Sequence, residues 1–78
     1  MRIIKVRPTT HYLRYHSDVD WELVVRTILS PNKTRAERIT NRYTYIKRFE
    51  KFTIEIHCEY QLEELTMWVI NAFKMGRR

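Results

Sequence analysis

Residues Lys51–Tyr60 alternate in polarity without a break. Phe52, Ile54, Ile56, Cys58 and Tyr60 take one parity, and Thr53, Glu55, His57 and Glu59 take the other. Strand side chains point to opposite faces with a period of two, so this segment predicts a strand with one apolar and one polar face. Such a strand needs paired neighbours and a cover for its apolar side. The segments around it are therefore read for what they can supply.

Upstream, Arg38–Phe49 is rich in Tyr, Thr, Ile and Phe, which suit a strand. Ile39, Tyr43, Tyr45 and Phe49 fall on one face; Arg38, Thr40, Arg42, Thr44 and Arg48 fall on the other. Glu50-Lys51 is the predicted tight turn between the two strands. Gln61–Glu64 is a second turn. Leu65–Phe73 is apolar at both parities, as a central strand covered on both sides would be. Arg2–Val6 predicts a short strand stopped by Pro8, and polar Asn32–Glu37 reads as a loop.

The cover should come from two helices. Thr9 and Thr10 suit N-caps for a short helix, Thr10–Tyr15. Ser17 followed three residues later by Asp20 resembles a capping box, with Asp in place of Glu. Trp21, Val24, Val25, Ile28 and Leu29 then follow at i, i+3, i+4, i+7 and i+8, predicting an amphipathic helix over Asp18–Leu29 that ends at Ser30-Pro31-Asn32. Its acids lie in the first turn, where the helix dipole favours them. The expected fold is α+β: N-terminal helices packed on a curved antiparallel sheet, one domain over residues 1–78.

The chain has 15 Lys+Arg against 9 Asp+Glu, a net charge of +6. An excess of this sign suits a polyanionic partner, and interleaved Arg, Lys and aromatic side chains offer charge for phosphates and rings for bases. RNA is the expected partner. Arg38, Arg42, Arg48, His57 and Glu55 should share the polar sheet face. Lone Cys58 permits no internal disulfide, which favours a reducing compartment. The N-terminus is too broken by charge for a signal peptide, and no segment approaches the roughly 20 apolar residues of a membrane span. A cytoplasmic location without membrane contact is expected. With Gly76 as the one glycine, no Gly-rich phosphate loop can form, which argues against a nucleotide-dependent enzyme.

His11 and Arg14 lie three apart and share a helical face. With His57 and the strand arginines they could converge on a phosphate. RNA can be cut without a metal: a base takes the 2′-OH proton, cations stabilise the phosphorane, and an acid protonates the leaving 5′-oxygen. Histidine suits the proton transfers and arginine the phosphate. Each histidine, His16 included, also has a plain reading as a surface or structural residue. Zinc is not expected. His11 and His16 stand about 140° apart around a helix, and His57 and Cys58 point to opposite faces of a strand. Cys58 falls on the apolar face and reads as a buried small hydrophobe. Trp21 reads as core; Trp68 reads as core or as a base-stacking ring. Tyr43 and Tyr45 read as packing residues whose hydroxyls could reach an edge. Lys74-Met75-Gly76-Arg77-Arg78 is a small basic tail.

Thr9-Thr10-His11-Tyr12-Leu13-Arg14, a second helix ending Leu29-Ser30-Pro31, the strands Asn41–Lys47 and Ile54–His57, and the closing Trp68–Lys74 run (WVINAFK) occur in that order. Over about residues 9–75 the chain resembles short domains allied to the RelE and BrnT toxins. The resemblance implies helices on a curved antiparallel sheet and a metal-independent endoribonuclease neutralised by an antitoxin. His11 would be the base or acid, and Arg14, Arg42 and Lys47 would hold phosphate. Asn71 would stand where the closing strand often has Thr or Ser. The candidate catalytic set is thus His11, Arg14, Arg42, Lys47 and His57. The candidate RNA-contacting set is Arg38, Arg42, Tyr43, Tyr45, Arg48, Asn71 and Lys74. A non-catalytic RNA- or DNA-binding module and an interaction protein with an acidic partner are the competing readings. Pairing through an open sheet edge would make a homodimer.

Overall fold

A computed structural model describes residues 1–76. The elements are β1 (Lys5–Pro8), α1 (Thr10–Tyr15), α2 (Trp21–Leu29), β2 (Lys33–Glu37), β3 (Arg42–Arg48), β4 (Phe52–Gln61), a 3-10 turn (Leu62–Glu64) and β5 (Thr66–Gly76). The five strands form one sheet in the order β1-β5-β4-β3-β2. β2 to β5 pair antiparallel with their neighbours, and β1 pairs parallel with β5. The α+β class holds. The sheet is mixed rather than antiparallel, and the 3-10 turn between β4 and β5 means the helical segments are not confined to the N-terminal part.

β4 has the expected two faces. Ile54, Ile56, Cys58 and Tyr60 are buried beneath the helices. Their cross-strand partners Tyr43, Tyr45 and Lys47 on β3, and Met67, Val69 and Ala72 on β5, point the same way. Glu50 and Lys51 turn the chain, with the Phe49 N–H donating to the Phe52 carbonyl.

The α1 span is as expected. The Thr9 hydroxyl caps it by accepting from the Tyr12 N–H at 3.2 Å, and donates to the Val69 carbonyl at 2.7 Å. One side chain therefore starts the helix and fixes it to β5. α2 begins three residues later than expected. Asp20, not Ser17, is the N-cap and accepts from the Glu22 N–H. Val19 is buried, and the Tyr12 hydroxyl donates to its carbonyl. Seating Val19 in the core takes residues 18–20 out of the helix. The α2 stripe buries Val24, Thr27 and Ile28 with Trp21 alongside, while Leu29 lies exposed.

Four further expectations are corrected. The segment read as the loop Asn32–Glu37 contains edge strand β2, every residue of it exposed. With no face to bury, it shows no polar–apolar rhythm, and pairing with β3 alone makes it a strand. β3 starts at Arg42 rather than Arg38, because residues 38–41 form the β2–β3 turn, with Asn41 in the left-handed region at φ 55°. Asn tolerates that conformation better than most residues. Ile39, expected on the buried face, is 96% exposed in this turn. β1 is displaced to Lys5–Pro8, and Pro8 closes it at the sheet edge, where a missing N–H costs little.

β5 is central, as expected, but covered on one side only; Phe73 and Met75 lie exposed on the other. His57 faces Asn71 while Cys58 faces Val69, so Ile70 is an extra residue, a bulge. The bulge reverses the parity of β5. Trp68 and Asn71, which strict alternation would separate, therefore share the outer face.

Candidate nucleic-acid interface

The outer face can be read row by row from the strand register. One row runs Glu37–Arg42–Glu59–Trp68–Arg7, and the next runs Arg35–Thr44–His57–Asn71. A third runs Lys33–Ile46–Glu55–Phe73, and Arg48 follows beside Thr53 and Met75. Arg7, Lys33, Arg35, Arg42 and Arg48 thus share a face with Glu37, Glu55 and Glu59. A shallow cavity of about 170 Å³ opens between Glu37, Arg42, Thr44, His57 and Asn71. Arg42 sits between two cross-strand carboxylates, Glu37 and Glu59, so part of its field is already compensated.

His57 is held at both ring nitrogens. Nε2 lies 2.7 Å from Glu55 Oε2, and Asn71 Nδ2 lies 3.2 Å from Nδ1. With the Asn71 amide donating to Nδ1, the proton sits on Nε2, facing the carboxylate. Both partners of this hydrogen bond are about a third exposed, at 35% and 31%.

His16 has a different arrangement. It caps the C-terminus of α1 beyond the end of β1, where β5 has an open edge. Its Nδ1 donates to the Ala72 carbonyl at 3.0 Å. That bond fixes the tautomer and leaves the Nε2 lone pair available. The His16 ring meets Phe73 edge-on at 5.2 Å, and Phe73 meets His57 at 5.4 Å. On its other side His16 lies 5.2 Å from His11, which also contacts Tyr15. All three histidines thus form one line of rings, from α1 over the β5 edge to the outer face.

This line gathers His11, His57 and Asn71 from the sequence-predicted residues, and Arg42 lies one row from His57. Arg14 is exposed on α1, Arg38 lies in the β2–β3 turn, and Arg48 stands six residues along β3 from Arg42. Four assignments move to the helix side. Lys47 shares the face of Ile54, and its Nζ donates to the Ser30 carbonyl at 2.7 Å, capping α2. Lys74 also pairs with Ile54, and its Nζ sits 4.4 Å above the Phe52 ring. Tyr45 is 4% exposed in the core, and Tyr43 packs against it. None of these four side chains reaches the outer face, because each has the parity of the buried residues. Arg77 and Arg78 of the basic tail lie outside the described residues.

Phe73 and His16 enter the site without having been in the candidate sets, as do Lys33 and Arg35; Glu55 was expected on this face but given no role. Lys33 and Arg35 stand two apart, a spacing that places both on one strand face, but their segment read as loop. Phe73 read as a covered strand residue. Cys58 is 1% exposed, and burial pushes its thiol up to about 12. It is no nucleophile at neutral pH. Among the described residues no three His, Cys, Asp or Glu side chains are grouped to hold a metal. No helix among them is long and apolar enough to cross a membrane. No family model, curated protein or solved structure matches the chain.

Proposed function

We propose that the outer sheet face binds RNA and that the histidine line cleaves it through the 2′-hydroxyl, without a metal. The observation that carries this reading is the line of all three histidines, His16 and His57 joined through Phe73 and each oriented by hydrogen bonds, beside a cationic face. His16 Nε2 takes the 2′-OH proton, and the 2′-oxygen attacks phosphorus. Protonated His57 returns a proton to the departing 5′-oxygen from Nδ1, after the Asn71 amide turns aside. Glu55 holds the ring in place through its bond to Nε2. Arg35 and Arg42 stabilise the phosphorane charge. His11 adds a second imidazole beside His16. The resemblance of residues 9–75 to RelE- and BrnT-allied domains points the same way, and an antitoxin covering this face would silence it.

The test is incubation of labelled RNA with wild type, His16→Ala, His57→Ala and His11→Ala in EDTA, followed by a denaturing gel. Cleavage by wild type that falls at least 10²-fold in His16→Ala and His57→Ala is the expected result. A second reading, RNA binding without cleavage, draws on the engagement of both His57 nitrogens and the carboxylates beside Arg42. Intact RNA in every lane, with a salt-sensitive shift on a native gel, would select it. No shift at any salt concentration would leave the interaction-protein reading.

A further inference from the structure

The helix side of the β3–β4 turn carries a second basic cluster. Phe49 and Phe52 stack there with centroids 5.0 Å apart. Arg26 from α2 stands 5.7 Å from the Phe49 centroid and Lys47 stands 5.8 Å from it, while Lys74 from β5 stands 4.4 Å from that of Phe52. Three cations from three separate elements thus converge on one pair of rings. Among the described residues none of the three is in an ion pair. An aromatic face attracts a cation through its quadrupole but does not neutralise it, so each charge still acts on an incoming anion. Lys47 spends one N–H on Ser30 and keeps two. Convergence of like charges without a counter-charge is unfavourable until an anion arrives.

We propose that this cluster is a second phosphate-binding site, which seats the RNA backbone after the strand leaves the outer face. This inference rests on the RNA reading above. Arg48 on the outer face and Lys51 in the turn mark the path between the two sides, with Glu50 the single acid in that turn. A phosphodiester fits because the forked Arg26 guanidinium and two ammonium groups can share its oxygens. The half-buried Phe rings give a neighbouring base an apolar surface. The site lengthens the footprint on RNA and plays no part in the bond cleavage.

The test uses 2′-O-methyl oligouridylates, which lack the attacking hydroxyl and stay intact. Fluorescent 4-mers and 16-mers are titrated with full-length protein from 50 to 300 mM KCl. The variants are the double substitution Arg26→Ala/Lys74→Ala and, on the outer face, Arg35→Ala. Lys47 is left in place because it caps α2, and circular dichroism confirms the fold of each variant. The double variant should lower the salt slope for the 16-mer by about 0.7 for each phosphate it no longer neutralises, and leave the 4-mer unchanged. An unchanged 16-mer slope in the double variant, with a reduced one in Arg35→Ala, would overturn the second site and keep the outer-face reading. A wild type that binds neither length would overturn both.

Discussion

Raising the pH from 8 to 11 should destabilise this protein severely, and Cys58 should be the main cause. The thiol is 1% exposed, and desolvation raises it from 9.0 to about 12. Below pH 9 the thiol is protonated in both folded and unfolded chains, and its contribution is constant. Between pH 9 and 12 the unfolded chain releases the proton while the folded chain keeps it, so stability falls as pH rises. At about 1.4 kcal/mol per pH unit, the loss at pH 11 is on the order of 3 kcal/mol. Tyr45, raised from 10.0 to about 12 by desolvation first and then by Cys58 and Tyr43, adds on the order of 1 kcal/mol at the same pH. Together they approach the whole stability of a chain this short, on the order of 4–10 kcal/mol. The assay is urea unfolding followed by tryptophan fluorescence at half-unit steps from pH 7 to 11. Cys58→Ala should cost on the order of 1 kcal/mol at pH 7. It should also remove most of the alkaline loss, making the variant more stable than wild type at pH 11. An alkaline slope identical in Cys58→Ala and wild type would show that the thiol is not in the core, and would refute the β4 register on which the outer face depends.

Other substitutions test the packing and the site. Tyr45→Phe should stabilise the fold by about 1 kcal/mol, because the Tyr45 hydroxyl is buried without a hydrogen-bond partner among the described residues; a loss of stability in the same urea titration would mean it is satisfied in solution. Thr9→Ala should cost about 1–2 kcal/mol by removing both the α1 cap and the bond to Val69, and Thr9→Ser should recover most of it. Arg35→Ala should reduce the salt slope of RNA binding by about 0.7, the share of one phosphate on a single strand; an unchanged slope would remove β2 from the interface.

Strand β4, the turn at Glu50-Lys51 and helix α1 with its Thr9 cap were legible in the sequence, because alternation and capping are local chemistry carried by neighbouring residues. The stripe of α2 was legible for the same reason. Its start was not, since burying Val19 is a tertiary event that overrides a good Ser17–Asp20 pattern. The helix-side orientation of Lys47 could also be read, because it shares the parity of Tyr45. β2 could not: an edge strand solvated on both faces carries no hydrophobic rhythm, and only the open edge of β3 makes it a strand. The bulge at Ile70 and the parallel seat of β1 on β5 likewise depend on partners distant in sequence. So does the site. Residue identity supplied three histidines and a basic excess. Only the fold laid α1 across the exposed edge of β5, where Ala72 orients His16 and Phe73 links it to His57, since a hydrogen bond between residues 56 positions apart and a ring contact between residues 57 apart leave no periodicity along the chain.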